Sequence, residues 1–257
     1  MGTDESETVH RPQRKRRANL KASEIAALEL VQDIVDGELS AGDPLPQESE
    51  LLAQYGVSRP SLREALRLLQ FLGLIRVRPG PGAGTVVGAA EADHLARTMV
   101  LYLHLLGCTY AEILDVFSDT QAIIGEKAAA NPDRALVERL MTPFLRPLEE
   151  LSEEEKSQAE GQVFHDRMYQ LAGNSMLSLM ARAVVMVAID HVLPSVPPLV
   201  PDIMINDHRR IALSVIAGDR LEAGRLMREH VDNIVERFRE HWPAKIGERP
   251  DWNMFKG

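Results

Sequence analysis

The sequence predicts a mainly α protein in two parts: a small three-helix unit closed by a β-hairpin, then an all-α helical bundle. Three observations carry that expectation. Apolar residues recur at helical spacing through most of the chain. One segment departs from the pattern: "LIRVRPGPGAGTVVG" holds two short strand-like runs around a Pro/Gly tip. The composition is that of an ordinary globular protein, with 45% hydrophobic and 26% charged residues over 257 positions, enough for two domains.

Residues 1–20 are polar and carry the basic cluster Arg14, Lys15, Arg16 and Arg17; a mobile tail is expected there. From Ala22 to Asp36, Ile25, Leu28, Val31, Ile34 and Val35 follow a helical period, which Gly37 ends. "LSAGDPLPQ" reads as a turn-rich loop. A short helix is expected over Gln47 to Gln54, broken by Gly56. Ser58 is a suitable N-cap for the third helix, Pro60 is tolerated in its first turn, and Gly73 ends it after Leu72. On that helix Leu62, Ala65, Leu66 and Leu69 form one apolar stripe, and Arg59, Arg63 and Arg67 lie four apart on a neighbouring one. Helix, tight turn, helix and hairpin together make a winged helix-turn-helix, expected over 21–88.

The arginines say what such a unit would hold. The whole chain has a net charge of -9, but residues 55–88 carry five basic groups against one acid. A polyanion docks on the local sign, so double-stranded DNA is the expected partner. Arg suits a bidentate contact with guanine, which makes Arg59 and Arg63 the candidates at the base edges. Ser58 and Ser61 stand at a helix N-terminus, where hydroxyls and free N–H groups bind phosphate. Arg67, one turn further on, suits a backbone contact or a pair with Glu64, and Arg76 and Arg78 on the wing add to the same field.

After a linker at 88–93, six or seven helices are expected over 93–242, with breaks at Gly107, Asn131-Pro132, Gly161, Gly173-Asn174, "LPSVPPLVP" and Gly218-Asp219. Residues 243–257 form a tail. Among the eight histidines, His208 and His230 lie ten residues before and twelve after Gly218. At roughly 1.5 Å per residue, two antiparallel helices joined there hold them at nearly one height. His165 sits on a separate helix. Three neutral imidazoles meeting from different helices suit a divalent metal such as zinc, nickel or manganese. Without a metal, the same rings would hydrogen-bond an anion. Further polar groups for that pocket are expected on the helix around Asp115 to Gln121.

The sequence resembles GntR-family transcription regulators of the FadR type, whose C-terminal half is a helical ligand-binding (FCD) domain. The resemblance rests on "GELSAGDPLPQESELLAQYGVSRPSLREALRLLQFLGLI" with "RPGPGAGTVV", then on "FHDRMYQLAGN", "DHRRIALSVIAGDRLEA" and "MREHV". It implies a homodimer, a palindromic operator and a small-molecule effector of the organic-acid kind. It places DNA contacts at Ser58, Arg59, Ser61 and Arg63, with the wing tip at Gly82 or Gly84, and effector or metal ligands at His165, His208 and His230. The sequence departs from the family at three places. Ser49 stands where an Arg often follows the LP-x-E motif, Gly161 stands where metal-binding members carry an Asp, and the helix around Asp115 lacks a frequent Arg.

Two other classes compete. A metal-dependent hydrolase or lyase would use the same three histidines; the sequence has no H-E-x-x-H, Gly-x-Ser-x-Gly or Walker-type loop to go with it. An architectural DNA-bound protein would have no need of the histidines. The N-terminus lacks the apolar stretch of a secretory signal, no run approaches the roughly 18 apolar residues of a membrane span, and Cys108 stands alone. These features fit a cytoplasmic protein.

Overall fold

The computed structural model describes residues 20–80, 84–152, 154, 162–190 and 201–251. The basic cluster at 14–17, Gly82 and Gly161 lie outside them. The chain divides into two compact units, residues 1–91 and 92–257.

In the first unit, helix α1 spans Ala22–Asp36, α2 Glu48–Tyr55 and α3 Arg59–Phe71. Gln47 caps α2 and exchanges bonds with Glu50, so this helix is displaced by one residue from its sequence expectation. Gly56 then takes a left-handed conformation with φ of 63°, which a residue without a Cβ adopts at no steric cost. Ser58 caps α3, accepting from the Ser61 N–H at 3.3 Å. Strands β1 (Ile75–Arg78) and β2 (Gly84–Val87) pair antiparallel, Ile75 opposite Val87 and Arg78 opposite Gly84. The core gathers Leu30, Leu51, Leu62, Ala65, Leu69, Ile75 and Val87.

The loop before α2 does more than turn. Leu45 donates to Thr85, Val87 donates to Asp43 and Gly42 donates to Val87, each at 2.9 Å. The segment lies along the free edge of β2 and satisfies backbone groups that a two-stranded hairpin would leave exposed.

The second unit is helical throughout its described residues: α4 (Ala92–Leu106), α5 (Tyr110–Ala129), α6 (Arg134–Met141), α7 (Gln162–Ala172), α8 (Ser175–Val185), α9 (Pro201–Ala217), α10 (Arg220–His241) and the single turn α11 (Pro243–Ile246). A π-turn at Met186–Asp190 prolongs α8, and two 3-10 turns at Thr142–Phe144 and Leu148–Glu150 follow α6 around Pro143 and Pro147. Three of the glycine breaks fall where the sequence puts them. Gly107, Gly173 and Gly218 all have positive φ, and Asn174 and Asp219 cap the helices that follow.

Helices α5 and α10 form the spine of this unit. They run antiparallel, with Ser118 bonded to Asp232 at 2.6 Å and Arg228 paired with Asp119 at 2.7 Å. Gly125 and Gly224 lie at their crossing, where a Cβ on Gly125 would stand 2.6 Å from the carbonyl oxygen of Ala223. Ala223, Gly224, Met227, His230 and Val231 are the buried face of α10, so this close approach sets how deep His230 sits.

Candidate functional site

Helix α3 separates its two faces cleanly. Leu62, Ala65 and Leu69 are buried, while Arg59, Arg63 and Arg67 are exposed. Arg63 is paired with Glu48 of α2 at 3.3 Å. The Arg63 side chain is largely solvated and that of Glu48 partly so, so the pair holds the guanidinium only weakly and leaves it available for exchange. Arg67 pairs instead with nothing among the described residues, Glu64 included. Ser58 is exposed and Ser61 half-buried, and their hydroxyls lie 2.9 Å apart. The Ser58 hydroxyl is therefore already used in capping. On the hairpin, Arg76 and Arg78 are exposed, and Arg78 donates to the Gly42 carbonyl at 3.1 Å. Gly84 opens β2 and is exposed.

In the helical unit the structure brings His165 of α7, His208 of α9 and His230 of α10 together, with one ring nitrogen of each within 4.8 Å of the others. The turn at Gly218 brings α9 back against α10, and the Nε2 atoms of His208 and His230 stand 3.3 Å apart. His208 and His230 are both 1% exposed. The Phe164 ring stacks on His208 at 4.0 Å and 14°, which fixes the imidazole plane. His165 lies at right angles to His208, ring centres 5.2 Å apart.

The electrostatics favour a neutral His165. Part of His165 reaches the surface, yet protein surrounds the ring densely enough that desolvation dominates, with the His230 charge adding to it. Together they lower its pKa to about 3. Neutral imidazole is the form that coordinates a metal. Two nitrogens on one tetrahedral zinc, with bonds of about 2.0–2.1 Å, stand about 3.4 Å apart. The 3.3 Å between His208 and His230 matches that spacing. It also matches a direct N–H···N hydrogen bond.

Asp207 is a functional neighbour that sequence reasoning missed. Its Oδ2 lies 3.3 Å from Nδ1 of His230, the carboxylate–imidazole arrangement that sets the tautomer and turns Nε2 toward the centre. Arg210 lies 3.6 Å from the other Asp207 oxygen. The only signal available was its place beside His208 in "NDHRR".

Of the polar residues around Asp115 to Gln121, Asp115 and Asp119 face outward to Arg239 and Arg228. Gln121 is fully buried and donates from Nε2 to the Tyr169 hydroxyl at 2.8 Å.

Two family models match this chain: "Bacterial regulatory proteins, gntR family" over residues 22–87 and "FCD domain" over residues 112–233. The chain belongs to the GntR family. It is a FadR-type member, a transcription regulator rather than an enzyme, and the hydrolase or lyase alternative is set aside. Relatives include the HTH-type transcriptional repressor NanR of Cronobacter sakazakii, 27% identical over 236 residues that cover 86% of this chain and 86% of that protein. NanR of Citrobacter rodentium is 28% identical over 202 residues, 76% of this chain and 74% of its own. Among solved structures, Streptococcus agalactiae GntR aligns with a TM-score of 0.54 over 83% of this chain and 99% of its own, at 19% identity, a likeness of fold. No helix among the described residues is long and apolar enough to cross a membrane.

Proposed function

We propose that this GntR-family regulator is a cytoplasmic repressor that binds a palindromic operator as a homodimer and is modulated by a small organic acid in its helical unit. The observation that carries the DNA half is the exposed row of Arg59, Arg63 and Arg67 on a helix whose opposite face is core. Arg59 and Arg63 read base edges, Arg67 and the N-terminus of α3 with Ser58 and Ser61 hold phosphates, and the wing with Gly84 lies alongside. One short helix covers only a few base pairs, so two-fold pairing of the protein on a two-fold site supplies the rest. Repression is the sign carried by the relatives' names.

The effector site is the cluster of His165, His208 and His230. The donor set fits zinc, nickel or manganese: three imidazoles, one of them oriented by Asp207. A bound ion supplies positive charge that attracts an effector carboxylate. The short His208–His230 contact favours a second reading, in which the rings bond each other without metal and take the anion directly.

The test is a gel-shift titration with the DNA upstream of the protein's own gene, at one fixed salt concentration, with and without zinc and small acids. Light scattering gives the mass in parallel. Specific retention that an acid relieves, from a dimer, is the expected result. Retention equal to that of unrelated DNA, or a monomer with and without DNA, would overturn the reading.

A further inference from the structure

Gln121 carries an unanswered group. Its side chain is 0% exposed, its Nε2 bonds the Tyr169 hydroxyl, and its Oε1 is buried with no partner among the described residues. Buried polar atoms in folded proteins nearly always have one. Tyr169 accepts from Gln121, and among the described residues its own proton goes to no acceptor. The pair therefore presents one acceptor and one donor side by side. Turning the amide over exchanges the roles of the two residues but still leaves one donor and one acceptor.

The location is set by the helices. On α7, Tyr169 stands four residues after His165, hence one turn along the same face. On the antiparallel spine, Gly125 meets Ala223 and Met227, and Ser118 meets Asp232. Gln121, halfway between Ser118 and Gly125, is thereby level with the stretch of α10 that holds His230. Arg182 lies 4.5 Å over the Tyr169 ring and is bonded to Asp166, so the tyrosine is held from behind.

We infer that Gln121 and Tyr169 form a hydrogen-bonding subsite beside the histidine cluster that takes a hydroxyl group of the effector, so that the effector is a hydroxy acid rather than a plain carboxylic acid. A hydroxyl both donates and accepts at one atom, which is what the pair offers. The inference rests on the effector reading of the histidine site. A site built to hydrogen-bond a hydroxyl discriminates strongly against the analogue lacking it, because its own buried groups are then left unpaired.

The experiment uses the full-length chain, zinc-loaded, and measures calorimetric affinity for three matched pairs of acids: lactate against propionate, malate against succinate, and gluconate against hexanoate. In at least one pair the hydroxylated member should bind roughly ten-fold tighter or more. Gln121→Leu and Tyr169→Phe should each abolish that preference while zinc content stays unchanged. Tyr169→Phe keeps the ring under Arg182 and serves if the first variant does not fold. Wild-type protein that binds no hydroxylated probe, or binds both members of every pair alike, overturns the subsite, as an ordered water on Gln121 would predict. A preference untouched by both variants also overturns it. A preference lost in the variants, with operator affinity indifferent to every acid, supports the subsite and defeats the regulatory reading instead.

Discussion

The crossing of α5 and α10 at Gly125 makes a measurable claim about how the histidine site is held. A Cβ at Gly125 would stand 2.6 Å from the Ala223 carbonyl oxygen, 2.8 Å from Met227 Cγ and 3.0 Å from the Ala223 carbonyl carbon. Ordinary contacts between heavy atoms are about 3.5 Å or more, so the helices must part by the better part of an ångström. Overpacking of this kind costs about 1–3 kcal/mol, set against a gain of about 1 kcal/mol in helix propensity for Gly→Ala. Gly224→Ala is the matched comparison. It gains the same propensity, and its worst contact is the Glu126 side chain at 2.6 Å, which can swing aside more easily than backbone. Gly125→Ala should thus be less stable than Gly224→Ala by about 1–3 kcal/mol, or several degrees in melting temperature at roughly 2–4 °C per kcal/mol for a unit of this size. It should also bind zinc more weakly, because α10 carries His230. Circular-dichroism melts of both variants and a competitive zinc titration measure the two effects. Gly125→Ala equal to or more stable than Gly224→Ala would refute the claim that backbone contact fixes this crossing.

Arg59→Ala and Arg63→Ala should each weaken specific operator binding by about 1–3 kcal/mol, and binding should fall steeply with added salt as phosphate counterions are released; undiminished affinity in both variants would remove α3 as the reader. A chelator should lower the melting temperature of the purified protein by linkage, and His208→Ala should remove both the metal and that response while the DNA-contacting residues are untouched; metal analysis together with melts checks it. For chelator-treated protein the pH dependence follows from His165, whose folded pKa is lowered to about 3 from an ordinary 6.5. Between those values the unfolded chain binds more protons, so the contribution is complete above about pH 6.5 and falls by about 1.4 kcal/mol per unit as pH drops toward 3. Urea unfolding at several pH values should show a shallower slope in His165→Gln; an unchanged slope would assign the acid sensitivity elsewhere.

The parts of the fold legible in the sequence are those fixed by local chemistry. Ser58, Pro60 and Gly73 bound α3 by capping and by conformational freedom, and the stripes of Leu62 and Arg59 follow from helical period alone. The meeting of His208 and His230 was legible for the same reason, since counting residues either side of Gly218 needs only a helical rise and an antiparallel turn. The edge pairing of Gly42 to Leu45 on β2 was not, because turn residues there conceal a partner some 40 positions away.

Gln121 was marked only as one end of a helix expected to supply polar groups to the pocket, and it could not be singled out for a deeper reason. In "SDTQAIIGEK" Gln121 looks like its polar neighbours Asp119 and Thr120, although it shares a helical face with Leu114, Phe117, Ile124 and Ala128. How closely that face is packed is decided by another helix. Gly125, one turn on, lets the α10 backbone approach so closely that the whole stripe through Gln121 is carried inward, while Asp119, rotated away, stays outside with Arg228. A glycine inside a helix costs about 1 kcal/mol relative to alanine and is retained where a backbone must come near. Gly125 and Gly224 were therefore a second signal, beside the helical spacing. Small residues facing each other on two long helices mark the line of closest approach, and a polar residue one turn from that line is the one the core must either satisfy or hold ready for a ligand.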